Sequence, residues 1–293
     1  MSDFIVIDAH VHLWEKQQGL INGQAVSHVE NGKSLFCGEI RQMMPPYMDD
    51  GKNTAERLIA NMDYAGVNAC VVTQEYMDGN QDVYLRSVKG KYPERFRICA
   101  LYEENDNYNL EGFDGLKICA GRLADQDLRK ILHVFKNVEK AGKFISIDMA
   151  DGDAQVEGLR RVIEECPNLR IAIGHFGMVT TKGWEKQIEL AKNPNVYIES
   201  GGLTWLFHKE FYPYPSAIEA ILEAASICGI RKLMWGSDYP RTMTDITYRS
   251  ALRFILENRW LSRHDKEAFL GGNATDFYGF NDLSPLPEIG NML

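Results

Sequence analysis

An α/β fold, a single (β/α)8 TIM barrel, is predicted by three features of the chain. Eight short β-rich runs recur along it, helical patterns separate them, and 293 residues accommodate eight such units. The runs are Phe4 to Ala9, Asn68 to Gln74, Arg95 to Tyr102, Gly115 to Ala120, Phe144 to Ala150, Leu169 to His175, Val196 to Ser200 and Arg231 to Asp238. Several are almost continuously apolar, as "ACVV" and "RIAI" show, which is how strands covered on both faces read.

Helical patterns precede the second, fifth, sixth and eighth runs: "TAERLIANMDYAG", "ADQDLRKILHVFKNVEKAG", "AQVEGLRRVIEEC" and "SAIEAILEAASICG". Three end in or beside glycine, and Pro167 closely follows the fourth, as helix C-termini require. Two places break the rhythm. Residues 15–52 form a long Gly-containing, partly polar insertion after the first run, expected as a loop. The segment "EENDNYNLEGFDG" after the third run is too short and irregular for a full helix. Long loops in compact domains serve as lids or substrate walls. No linker, repeat or low-complexity stretch marks a cut, so residues 1–293 are read as one domain.

Composition removes several function classes. With 45% hydrophobic residues the chain can bury a large core. A formal charge of -9 without clustered Lys or Arg argues against nucleic acid, whose phosphates need a basic face. No apolar stretch reaches the length of a membrane span, and the first residues lack a secretory pattern, so a cytoplasmic location is expected. Six cysteines lie dispersed without C-x-x-C spacing, which implies neither disulfides nor a thiolate metal cluster. The expected partner is a small-molecule substrate, and a homo-oligomer is compatible with the sequence.

In such a barrel the chemistry sits at the carboxyl ends of the strands. The polar residues there are Asp8, His10 and His12; Gln74, Glu75 and Tyr76; Lys117; Asp148; His175; Glu199; and Asp238. His10 and His12, two apart on a strand, share a face and suit a divalent cation such as zinc. The alternative for an isolated H-x-H is that one ring only caps or packs the turn. His175 in "IAIGHFG" lies between glycines that let the chain turn sharply. Asp238 in "LMWGSDYP" follows a buried strand, where a carboxylate needs a cation or donors to hold it; it suits a metal ligand or a general base.

The motifs "DAHVHLW", "GHFG", "WGSDYPR" and "GGNATDFYGF", in that order, resemble the amidohydrolase superfamily, specifically its amidohydrolase-2 branch, from the first strand to about residue 280. The resemblance implies a (β/α)8 hydrolase or lyase with His10 and His12 in the first-strand metal motif, His175 on strand six and Asp238 on strand eight. Metal-dependent relatives add a strand-five histidine, where this chain carries Asp148 in "FISIDMAD". With aspartate there, the implied ligand set is His10, His12, Asp148 and Asp238 for one divalent cation, Zn or Mn, or else a weak or empty site, as in lactonase members that work without metal and use the strand-eight aspartate to activate water. Lys117 sits where the family places a basic residue. It could polarise the substrate carbonyl, bridge two metals if carbamylated, or pair with an acid.

The branch includes lactonases of sugar and pyrone lactones, and the expected mouth suits a sugar. Glu75, Asp148 and Glu199 stand with Trp14, Tyr47, Tyr76, Trp205 and Tyr239, while Arg122 and Arg241 form a basic corner. The expected substrate contacts are Glu75, Tyr76, Arg122, Glu199, Arg241 and Trp14, with His208 as a lid contact. Asp238, His175 and Lys117 are the expected catalytic groups. A metal-dependent nonoxidative decarboxylase and a non-catalytic binding barrel are the competing readings.

Overall fold

The structure, a computed structural model, describes residues 4–104 and 108–290. Three residues of the segment after the third predicted strand, 105–107, and the chain ends at 1–3 and 291–293 lie outside the described residues. Twelve strands are described. The first, β1 (Ile7–Val11), opens the barrel. β2 (Gln18–Ile21), β3 (Gln24–Glu30), β4 (Lys33–Phe36) and β5 (Glu39–Gln42) form a separate four-stranded antiparallel sheet. The barrel continues with β6 (Ala69–Val72), β7 (Phe96–Leu101), β8 (Gly115–Cys119), β9 (Phe144–Asp148), β10 (Arg170–Ile173), β11 (Val196–Glu199) and β12 (Leu233–Met234).

Barrel strands pair in parallel in the order β1-β6-β7-β8-β9-β10-β11-β12. The ring closes through backbone bonds from Ala9 N to the Trp235 carbonyl (2.8 Å), Asp238 N to that of His10 (2.9 Å) and His12 N to that of Tyr239 (2.8 Å). All eight predicted strands are present, with changed ends. The last shrinks to Leu233–Met234, because Trp235, Gly236 and Ser237 give their N–H groups to the Phe269 carbonyl, Ser200 Oγ and Asp8 Oδ1 rather than to a ladder.

Helices cover the barrel: α1 (Ala55–Ala65), α2 (Asp82–Lys91), α3 (Leu132–Lys140), α4 (Val156–Glu165), α5 (Trp184–Glu189), α6 (Leu203–Leu206), α7 (Pro215–Cys228), α8 (Tyr248–Leu256), α9 (Arg263–Glu267) and α10 (Asn273–Tyr278). Helix α1 ends where Gly66 takes a left-handed φ of 78°, available to glycine without Cβ strain. Among the described residues no helix is long and apolar enough to cross a membrane.

Strand alternation divides the core in two. Leu116 and Ile118, Ile145 and Ile147, and Ile171 and Ile173 face the helices, where burial of apolar surface supplies most of the stability. Ile7, Ala9, Ala69, Val71, Phe144, Ala172 and Met234 face inward and meet Phe277 and Tyr278 of α10, which plugs the amino-terminal end of the barrel. Toward the carboxyl ends the inward positions become polar: Lys117, Asp148 and Glu199 each follow an outward aliphatic residue, Leu116, Ile147 and Ile198.

The insertion at 15–52, expected as a loop, is where the structure departs most from the sequence reading. Its four strands turn at Asn22-Gly23, Asn31-Gly32 and Cys37-Gly38, all with positive φ, as two-residue hairpins require. The sheet leans on the barrel through Gln18 N to the Asp78 carbonyl and Leu20 N to that of Tyr76. A Cβ on Gly19 would lie 2.0 Å from the Tyr76 carbonyl oxygen, so only glycine permits this approach.

Candidate active site

A shift of register in β1 between Asp8 and Val11 decides which residues enter the barrel mouth. Ile7 and Ala9 pack in the inner cluster, yet Val11 belongs to the outer one. The parity change leaves His10 and His12 in the mouth, while Asp8 bonds the Ser237 N–H and the Tyr248 hydroxyl. Burial pushes the Asp8 carboxyl up to about 6, although these donors pull the other way.

His10 and His12 meet at 3.1 Å between their Nε2 atoms, and Asp238 Oδ1 lies 3.0 Å from His12 Nε2 and 3.8 Å from His10 Nε2. Glu199 Oε1, 2.6 Å from His10 Nδ1, takes the proton on that nitrogen and leaves the Nε2 lone pair facing the cluster. Room for the His10 ring comes from Gly201 and Gly236, where a Cβ would stand 2.8 Å from His10 atoms. Trp205 donates its indole N–H to Asp238 Oδ2 at 2.6 Å. Burial raises the proton affinity of Asp238, but the His12 bond and the surrounding imidazoles outweigh it and hold the carboxyl well below the usual range. Burial and the Arg241 charge lower His12 to about 4, so its ring is neutral at physiological pH.

Two triads share His10. His10, His12 and Asp238 form one; His10, Asp148 and His175 form the other, with donor atoms of each within 4.8 Å of one another. The first, a buried set of two imidazoles and a carboxylate with one ring fixed by Glu199, fits a divalent cation. Asp148, expected beside His10 and His12, stands with His10 and His175 (3.6 Å from its Nε2) in the second triad and meets Lys117, whose Nζ is 2.6 Å from Oδ2. A Cβ on Gly174 would come within 2.1 Å of Asp148 Oδ1. His175 gives its Nδ1 proton to the Gly201 carbonyl at 2.8 Å. Burial disfavours its charged form, but Asp148, Asp238 and Glu199 prevail and push it up to about 10. The ring is therefore an imidazolium at neutral pH, able to stabilise negative charge or donate a proton.

A cavity of about 870 Å³ opens above these groups. Of the expected contacts, Glu75, Arg122, Asp148, His175, Asp238 and Arg241 line it, as do His12, Trp205 and His208. Others stand elsewhere. Glu199 is spent on His10 Nδ1 and the Gly201 N–H (2.6 Å). Lys117 is fully buried beneath Asp148 and does not line the cavity. Trp14 is buried against Met44 and Met48 with its N–H on the Gly51 carbonyl. Tyr76 gives its hydroxyl to the Tyr102 carbonyl and packs beside Ile21, Val26 and Met77. Tyr239 is buried, and Tyr47 is exposed outside the lining. Trp14, Tyr76 and Tyr239 are held by apolar neighbours or a backbone carbonyl away from the mouth.

Residues the sequence reading passed over complete the wall. Phe36, Arg41, Gln42 and Met43 come from the inserted sheet. Asp78 accepts Arg241 Nη2 on both oxygens at 2.8 Å, leaving the buried Nε and Nη1 unpartnered at the cavity. Asp78 carried no positional signal, being four residues beyond the Gln74 strand end.

The amidohydrolase-2 family model matches residues 7–280, and the chain belongs to that family of enzymes. Solved structures share the fold. A protein from Pseudomonas putida assigned as a 2-pyrone-4,6-dicarboxylic acid hydrolase is 19% identical, covering 96% of this chain and 99% of its own, with a TM-score of 0.70. A zinc-bound amidohydrolase from Burkholderia multivorans is 15% identical over 94% and 99%, with a TM-score of 0.66. A 5-carboxyvanillate decarboxylase from Novosphingobium aromaticivorans, complexed with manganese and a nitrobenzoic acid, is 15% identical over 78% and 81%, with a TM-score of 0.57. Among curated proteins no sequence matches significantly.

Proposed function

We propose that this enzyme opens a small polyhydroxylated, sugar-type lactone by attack of water on its carbonyl, in a single cytoplasmic domain whose unpaired cysteines suit a reducing compartment. The observation that carries the reading is the meeting of His12, Asp238 and the His175 imidazolium at the floor of one cavity. Asp238, ionised at all physiological pH values, accepts the proton of the attacking water. His175 stabilises the oxyanion of the tetrahedral intermediate. As that intermediate collapses, the ring C–O bond breaks and the leaving oxygen takes the proton back from Asp238. His10, His12 and Asp238 would hold a divalent cation, Zn or Mn, which would supply carbonyl polarisation and make water a stronger acid. Glu75, Arg122 and Arg241 offer acceptors and donors to substrate hydroxyls and oxygens.

Acid release from a panel of aldonolactones, followed with a pH indicator, tests the reading. Turnover is expected, with a loss of at least ~10³-fold in Asp238→Asn and an unchanged far-UV spectrum. An inactive panel together with carbon dioxide release from aromatic or enoic acids would replace the reading by decarboxylation, the activity named for the manganese-bound neighbour.

A further inference from the structure

The two edges of the inserted sheet are treated differently. On the β2 edge, Gln18 and Leu20 bond the backbone of Tyr76 and Asp78, so the barrel covers it. The β5 edge has no such cover: all four residues of Glu39–Gln42 are exposed, and among the described residues none bonds their backbone from the side away from β4. Uncovered edges are ordinarily kept short or blunted by charges, Pro or a bulge. β5 is short but has no Pro, Lys or bulge, and its two charges, Glu39 and Arg41, are of opposite sign.

Its pattern is instead complementary to itself. The Cys37-Gly38 turn makes Phe36 and Glu39 the bonded pair closing the hairpin, so Ile40 and Gln42 turn their N–H and C=O groups outward. An antiparallel copy centred on Ile40 exchanges two backbone bonds at that residue. Glu39 and Arg41 pair within the strand at 2.8 Å, and the antiparallel register also sets Glu39 opposite the partner's Arg41 and Arg41 opposite the partner's Glu39, so the two pairs join into a four-charge cluster across the junction. On the outward face Ile40 lies directly across from Leu35, the two being 58% and 37% exposed, so a second copy would extend this apolar strip across the junction.

We propose that the occupant of the β5 edge is a second copy of this chain, joined by antiparallel β5–β5 pairing into one continuous eight-stranded sheet. Arg41 lines the substrate cavity, so the partner's Glu39 stands at its rim and the paired strand extends its wall.

Sedimentation equilibrium between about 1 and 100 μM tests this. The wild type is expected to reach twice 33.3 kDa within that range. Glu39→Arg alone and Arg41→Glu alone each put like charges face to face and are expected to raise the dissociation constant at least ~10-fold. The double variant Glu39→Arg/Arg41→Glu restores the complementarity and is expected to return to within ~3-fold of wild type. Far-UV spectra confirm folding of these exposed variants. A wild type that stays monomeric throughout, single variants that dimerise as well as wild type, or a double variant no better than the singles would each overturn the proposal. The measurement reads mass alone, so it stands or falls separately from lactone turnover.

Discussion

His175 and Asp238 hold left-handed backbone, with φ of 52° and 60°, a conformation that non-glycine residues adopt at some cost. Both lie where a strand has just ended and the chain swings its side chain over the barrel axis. Around them each charge is matched. Lys117 is the clearest case, because its fully buried ammonium lies 2.6 Å from Asp148, with the Glu75 and Glu199 carboxylates adding to the charge that holds it. Lys117→Met leaves Asp148 with His175 alone, and a loss of up to about 3–5 kcal/mol is expected from the midpoint of guanidinium unfolding. Glu199 acts at one remove. Glu199→Gln can no longer take the His10 Nδ1 proton as a carboxylate does, so zinc affinity measured by chelator competition is expected to fall about 10–100-fold, with the fold retained.

Among the elements, α1 and α2 are tied by Glu56, whose carboxylate meets Lys91 at 2.7 Å and the Tyr92 hydroxyl at 3.1 Å. The Lys91 bond pulls the Glu56 carboxyl down to about 2 from an ordinary 4.5. A folded-state value below the unfolded one means the contribution is complete above about pH 4.5 and disappears as pH falls toward 2. Glu56→Gln should therefore lower urea stability slightly at pH 7, less so at high salt, and the difference from wild type should vanish on acidification. The barrel strands were legible because parallel strands covered on both faces read as apolar runs. The inserted sheet was legible in part: Asn22-Gly23 and Asn31-Gly32 are hairpin turn signals, but the flanking strands mix exposed apolar and polar residues, so no clean alternation announces them. His10, His175 and Asp238 come together because strand ends fix position. Trp14, Tyr76 and Glu199 stand outside the cavity lining, because whether a side chain reaches the mouth depends on neighbours that spacing does not reveal.

For the whole molecule, the cavity depends on closure between β1 and β12, which carries His12 to Asp238 across 226 positions of sequence. A chain stopped at residue 229, after α7, lacks β12 and leaves β1 paired only with β6 and β11 only with β10, so the ring is open. It is expected to lose its cooperative thermal transition and its near-ultraviolet circular dichroism. A sharp transition in that fragment would show the ring to be stable while open. The same dependence bears on synthesis. A ribosome delivers the paired imidazoles 226 positions before the aspartate that meets them, so the nascent polypeptide is unable to act on anything throughout that stretch, and competence arrives in one step when it closes.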